Sequence, residues 1–222
     1  MDRVNDVSVS IGSPPPYWKE STAVILYIGL ELVSIVKCHK NTIIDMKYKL
    51  KNYMENKMIQ LIKREQLQEC LDILKQGYEH TALTYGMTEE NCPYRGRTRL
   101  PYQIFENEYN NGHMMYGYIC DNKLAGFLSL YKEERTMNIN DIVILPEYQN
   151  KGFGSRLMQY AKEKAMESDC SKLALGMVHD NLKLREWYEK EGFHTVRLVN
   201  FDTVSYTVGN MEKEIEKEMP EI

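Results

Sequence analysis

Gln149, Asn150, Lys151, Gly152, Phe153, Gly154 and Ser155 form a glycine-bearing stretch between an apolar run at 142–145 and a helix-like run at 156–167. A helix begins with N–H groups that have no intrahelical acceptor and with a partial positive charge, so such a strand-to-helix turn can hold a phosphate. Gly152 and Gly154 let phosphate oxygens approach the main chain without meeting side-chain carbons. Lys151 and Arg156 either add charge beside that anion or are ordinary solvated cations. No Walker loop occurs in the chain, and the dinucleotide fingerprint would need a third glycine where Leu157 stands. Taken alone, Gln-x-x-Gly-x-Gly is equally compatible with a plain strand-to-helix turn.

A second segment with chemical content lies at 181–193, Asn-Leu-Lys-Leu-Arg-Glu-Trp-Tyr-Glu-Lys-Glu-Gly-Phe. Leu184, Trp187, Tyr188 and Glu191 recur at helical spacing, which puts Tyr188 on the side of Leu184. Gly192 suits a left-handed stop. The Tyr188 phenol is either a hydrogen-bond donor at a reacting group or a packed core tyrosine.

Together the two segments resemble the GNAT superfamily of N-acetyltransferases, whose signature is Gln/Arg-x-x-Gly-x-Gly/Ala followed by Asn-x-x-Ala-x-x-x-Tyr-x-x-x-Gly-Phe. The resemblance covers residues 58–215. It implies a mixed α/β fold of the acyl-CoA N-acyltransferase kind, with helices on both faces. The central sheet is mostly antiparallel, and its fourth and fifth strands run parallel and splay apart. It implies acetyl-CoA as acyl donor, no metal, and a primary amine as acceptor. Carried over residue by residue, 149–155 hold the pyrophosphate, and the backbone of Ile142, Val143 and Ile144 meets the pantetheine arm. Asn181 touches that arm or the acetyl end, and Tyr188 faces the sulfur. Asp141, beside the strand residues, is the candidate base for the amine, directly or through a water. A backbone N–H near Ile142 or Ile144 would meet the oxyanion if a bulge frees it.

Two positions depart from the family pattern. Leu184 stands where a small residue is usual, and Asn140-Asp141 where a glutamate is frequent. The leading expectation is acetylation of a small-molecule amine. Acetylation of a protein N-terminus or lysine is the runner-up, and a coenzyme A binding module without turnover is the reading from another class.

Composition bounds these readings. With 222 residues, 43% of them hydrophobic, the chain can bury a sizeable core in one domain plus an appendage. A formal charge of −4 argues against nucleic acid as partner and leaves room for a cationic substrate. The five cysteines have neither C-x-x-C spacing nor a histidine at ligand spacing, so a reducing, cytoplasmic setting is expected. Cys120 is the one thiol placed as an alternative nucleophile, and His179 borders the second segment. A monomer or homodimer is expected.

The elements that position these residues are legible from residue 58 onward. A first strand is expected at 59–62, then a helix with Leu67, Leu71, Leu74, Tyr78 and Ala82 on one face. An irregular segment at 88–111 follows, carrying Pro93, Gly96 and Pro101. Its Glu89, Glu90, Glu106 and Glu108 are candidate attractors of a cation, and Tyr102, Tyr109, Tyr116 and Tyr118 are candidate pocket or core residues. A hairpin is expected at 114–132, a fourth strand at 136–145, and a fifth, buried on both faces, at 173–178. Two last strands are expected at 195–201 and 205–211. Residues 1–57 read as an extension of unknown role, accessory or dispensable, and 216–222 as a charged tail. The apolar run at 23–36 is shorter than the roughly 20 residues a span needs and contains Glu31, so membrane association is not expected.

Overall fold

The computed structural model describes residues 58–84, 88, 96–201 and 206–215, so the expectations for 1–57, for the charged tail at 216–222 and for Glu89 and Glu90 lie outside the described residues. Seven strands and four helices are present among them: β1 (Ile59–Leu61), α1 (Leu67–Thr84), α2 (Tyr102–Asn110), β2 (Met114–Cys120), β3 (Lys123–Glu133), β4 (Thr136–Ile144), α3 (Phe153–Glu167), β5 (Lys172–Val178), α4 (Leu182–Lys190), β6 (His194–Asn200) and β7 (Thr207–Glu214). They build one sheet in the order β1-β2-β3-β4-β5-β7-β6. All neighbours are antiparallel except β4 and β5. The mixed α/β architecture with one parallel pair is the fold expected from the sequence.

Each face of the sheet carries its own core because β-strand side chains alternate. On one face Leu157, Ala161 and Ala165 of α3 and Tyr188 of α4 pack on Leu128, Leu130, Met137, Ile139, Leu173 and Leu175. On the other, Leu67, Leu71 and Leu74 of α1 and Phe105 of α2 pack on Met115, Phe127 and Val143. Full burial of a leucine such as Leu157 is worth about 2 kcal/mol, so these helix stripes fix where the intervening turns lie.

Two departures from the sequence reading bear on the site. Residues 102–110 are helical, where an irregular segment was expected. Pro101 occupies the residue before the first turn, where a missing N–H costs nothing. In β5, Leu173, Leu175 and Met177 are buried, but Ala174 is only half-buried and Gly176 is exposed. The strand is therefore buried on one face, since α1 lies over β3 and β4.

Candidate active site

The pairing of β4 with β5 stops early. Their register runs from Thr136 with Lys172 to Ile139 with Leu175, although β4 continues to Ile144 and β5 to Val178. β5 stays bonded to β7 along its whole length and β4 stays bonded to β3. The edge of β4 from Asn140 to Ile144 thus has no partner in β5 and is an open strand edge among the described residues. Ile142 and Ile144 pack on the α3 side, whereas the Val143 side chain points to the α1 side.

A bulge sits where the strands part. Ser129 opposes Asp141 and Leu130 opposes Ile139, so Asn140 is an extra residue on β4. The extra residue exchanges the faces. Met137 and Ile139 belong to the α3-side core, and Val143, an even number of positions further on, belongs to the α1-side core.

Past Ile144 the chain makes a short turn and enters α3. Gln149 does not project a free amide, because its Nε2 donates to the Ile144 carbonyl at 3.0 Å and ties the loop to the end of β4. Asn150 and Gly152 both adopt left-handed backbone, with φ of 59° and 82°. The first helical bond runs from the Arg156 N–H to the Gly152 carbonyl at 3.0 Å, so the N–H groups of Phe153, Gly154 and Ser155 open the helix without intrahelical acceptors. The ring of Phe153 anchors this turn by stacking on Tyr118 at 4.5 Å between centroids. Lys151 lies over the Tyr148 ring at 5.2 Å, and the Ser155 hydroxyl donates to Glu191 Oε1 at 2.6 Å. Gly152 has open space around it, whereas a Cβ on Gly154 would stand 3.3 Å from the Trp187 ring. Gly152 therefore serves the backbone turn and Gly154 the approach of α4.

Tyr188 is 5% exposed, with its ring against Trp187 and Phe193. Burial pushes its phenol well above the ordinary value. Asn181, expected at the pantetheine arm, caps α4: its Oδ1 accepts from the Leu184 N–H at 2.9 Å. His179 is engaged within the chain, with Nε2 at 3.0 Å from an Arg185 nitrogen. Burial and then Asp121 push the Cys120 thiol up, which keeps it protonated and weakly nucleophilic at neutral pH.

Asp141 lies on the α1 side of the sheet, with its side chain fully buried. Arg97 Nε donates to Oδ1 at 2.7 Å and Arg97 Nη2 donates to Oδ2. Tyr78 donates its hydroxyl to Oδ1 at 3.2 Å, and Asn140 Nδ2 donates to Oδ2 at 3.1 Å. Arg97 also forks onto Glu108, at 2.6 and 2.9 Å. Burial raises the Asp141 carboxyl above its ordinary value, and the Arg97 guanidinium offsets part of that rise. Tyr78 is pushed up by burial, then by Asp141, then by Tyr188, so the two phenols lie within electrostatic reach of each other. Tyr78 and Arg97 were not singled out as site residues from the sequence. Tyr78 was legible there only as one position on a helix face, and Arg97 lies in a turn without periodicity.

Of the candidate glutamates, Glu108 holds Arg97 and Glu106 holds Arg64 at 2.5 Å. Tyr116 and Tyr118 are core residues.

The strand gap, the turn into α3 and the Tyr188 helix all fall within one family pattern. The description "Acetyltransferase (GNAT) family" matches residues 69–193. The chain belongs to that family. An uncharacterized N-acetyltransferase of Bacillus subtilis, YhfO, is 32% identical over 77 residues, which cover 32% of this chain and 52% of the relative. The thialysine N-epsilon-acetyltransferase of Bos taurus is 31% identical over 72 residues, covering 28% of this chain and 42% of that protein. The chain thus spans about half the length of these curated relatives. Among solved structures, the PaiA N-acetyltransferase of Thermoplasma acidophilum in complex with coenzyme A superposes with a TM-score of 0.53 at 19% identity, covering 70% of this chain and 97% of that one. At that identity the likeness establishes the GNAT fold. No helix among the described residues is long and apolar enough to cross a membrane.

Proposed function

We propose that this GNAT protein is an acetyl-CoA dependent N-acetyltransferase that moves acetyl directly from the thioester to a primary amine of a small molecule. The observation that carries this reading is the loss of β4–β5 pairing after Ile139 and Leu175, beside a helix start whose first N–H groups have no intrahelical acceptor. An extended pantetheine arm fits the open edge of β4 from Ile142 to Ile144, Val143 included, through backbone bonds. The diphosphate fits the amides from Asn150 to Ser155, with Lys151 close by. Asn181 holds the start of α4 and so the position of Tyr188.

The acyl donor, when bound, supplies an activated carbonyl and a thiolate leaving group. The chain's task begins with the acceptor: an alkylammonium with a pKa of about 10.4 must lose a proton before it can attack, a cost of about 4–5 kcal/mol at pH 7. We assign that proton to Asp141, whose burial lets it hold one. The amine nitrogen then bonds to the carbonyl carbon and the oxygen takes the negative charge; as the carbonyl re-forms, the carbon–sulfur bond breaks and the nitrogen gives up its second proton, which ends on the departing thiolate to give the free thiol. Backbone N–H groups on the free edge of β4 suit the oxyanion. Full proton transfer from a tyrosine to a thiolate is uphill by about 2 kcal/mol from reference values, and burial of Tyr188 enlarges that gap. Tyr188 therefore acts as a hydrogen-bond donor to the departing sulfur.

Support for a small-molecule acceptor comes from the Bos taurus relative, named for thialysine, although it matches only part of each chain. A reducing, cytoplasmic setting suits free thiols such as buried Cys70 and Cys170.

A thiol-release assay with acetyl-CoA and a panel of amines tests the reading, together with Tyr188→Phe. Turnover should fall about 10- to 1000-fold in the variant, the range of acid–base effects, with cofactor affinity retained. Equal turnover would remove Tyr188 from the reaction, and cofactor binding without thiol release by the wild type would favour the non-catalytic alternative.

A further inference from the structure

Asp141 cannot meet an ammonium directly. Its side chain is fully buried, and each carboxylate oxygen already accepts two donors: Arg97 and Tyr78 on Oδ1, Arg97 and Asn140 on Oδ2. These donors differ in what they can pass on. A guanidinium stays charged throughout the accessible pH range, and a side-chain amide does not release its proton, so neither delivers one to a carboxylate. A phenol donates and accepts through one oxygen that also carries a transferable proton, and of these three residues Tyr78 alone combines the two.

The fold places Tyr78 for this task. Gly77, the residue before it, lies so close to β4 that a Cβ would stand 2.1 Å from Val143 Cγ1. That approach brings the next side chain of α1 level with Asp141, one residue past the Asn140 bulge and at the part of β4 whose edge is open. Tyr78 is half-buried, whereas Asp141 is not accessible at all. Among the described donors to Asp141, Tyr78 is therefore the side chain able to carry the proton.

Resting on the transferase reading above, we propose that Tyr78 is a proton-relay residue for the acceptor amine: its oxygen takes a proton from the ammonium as its own proton passes to Oδ1 of Asp141. The nitrogen lone pair is freed, Tyr78 ends neutral as it began, and Asp141 becomes the neutral acid. After the amide is released, the proton leaves by the same hydroxyl. Among the described residues, the charged and titratable groups that act on this pair are Arg97 from the 96–99 turn, Glu108 from α2 and Tyr188 from α4, with His113 at the entry to β2 coupled to Asp141. Burial and the Tyr188 phenol disfavour the ionised form of Tyr78, which suits a relay that never holds the charge.

The test is Tyr78→Phe, assayed with a primary alkylamine and with an arylamine that is unprotonated at pH 7. The relay predicts a loss of about 100-fold in kcat/KM for the alkylamine at pH 7, within the span of general base effects. That deficit should shrink as pH rises toward the amine's own pKa. The arylamine should be acetylated at the wild-type rate. Equal losses on both acceptors, or no loss on the alkylamine, would overturn the relay. Readouts outside turnover keep the folding question apart: the variant should match the wild type in coenzyme A affinity, and the tyrosine 13Cζ resonance missing in Tyr78→Phe should be the one that moves in Asp141→Asn. A resonance unmoved by Asp141→Asn would also count against it. If the wild type releases no thiol with any amine, the transferase reading fails and the relay with it. If Tyr188→Phe slows turnover while Tyr78→Phe does not, only the relay fails.

Discussion

Gly77 on α1 rests against Val143 on β4 with no room for a methyl group between them. This contact sets the height of α1 above the sheet and thereby the position of Tyr78 beside Asp141. Because Val143 is itself held by β3 pairing, the helix must move if the glycine is enlarged. Gly77→Ala should destabilise the protein by about 1–3 kcal/mol, the usual cost of overpacking, and should lower turnover more than cofactor affinity. Chemical denaturation with parallel kinetics checks both. A variant of wild-type stability would mean that α1 adjusts freely.

Among the described residues Arg97 is the only cation on the Asp141 carboxylate, and it also joins Glu108. Removing one partner of a buried pair leaves an uncompensated charge, so Arg97→Ala should cost about 3–5 kcal/mol. Asp141→Asn in the same background should recover part of that loss, because it removes the stranded charge. A double-mutant cycle by urea denaturation reads the coupling, and additive losses would show that the pair is not acting as one unit.

His113 stacks on Tyr131 at 5.0 Å, and burial lowers its pKa from the ordinary 6.5. The unfolded chain therefore takes up this proton at a higher pH than the folded one. The contribution of neutral His113 to stability is complete above pH 6.5 and is lost as pH falls from there toward the lower folded value. Thermal unfolding across this window should show a falling Tm with acid, and His113→Gln should flatten that slope relative to the wild type. Parallel curves for the two proteins would assign the acid loss to other groups.

Much of the scaffold was legible because its signals are local. The stripe of Leu67, Leu71 and Leu74, the β2–β3 hairpin and the glycine turn before α3 each follow from spacing a few residues long. The α2 helix was not, since among its residues only Phe105 is buried and Pro101 reads as a breaker. The direction of Asp141 was also out of reach. Burial along β4 alternates without interruption through Met137, Ile139, Asp141 and Val143, so the one-residue bulge at Asn140 leaves no trace in the pattern. That bulge turns Asp141 to the α1 side, where Tyr78 and Arg97, distant in sequence, meet it. Asn181 shows the reverse case: a residue legible as part of a ligand signature that the fold uses to cap α4.

On the function proposed above, main-chain amides at the start of α3 hold the diphosphate of coenzyme A. An amide NMR titration of the 15N-labelled protein with coenzyme A tests it most directly. The largest and saturable shifts should fall on residues 151–155, with smaller ones on 142–144. Shifts confined to other parts of the sheet, or none at all, would contradict it.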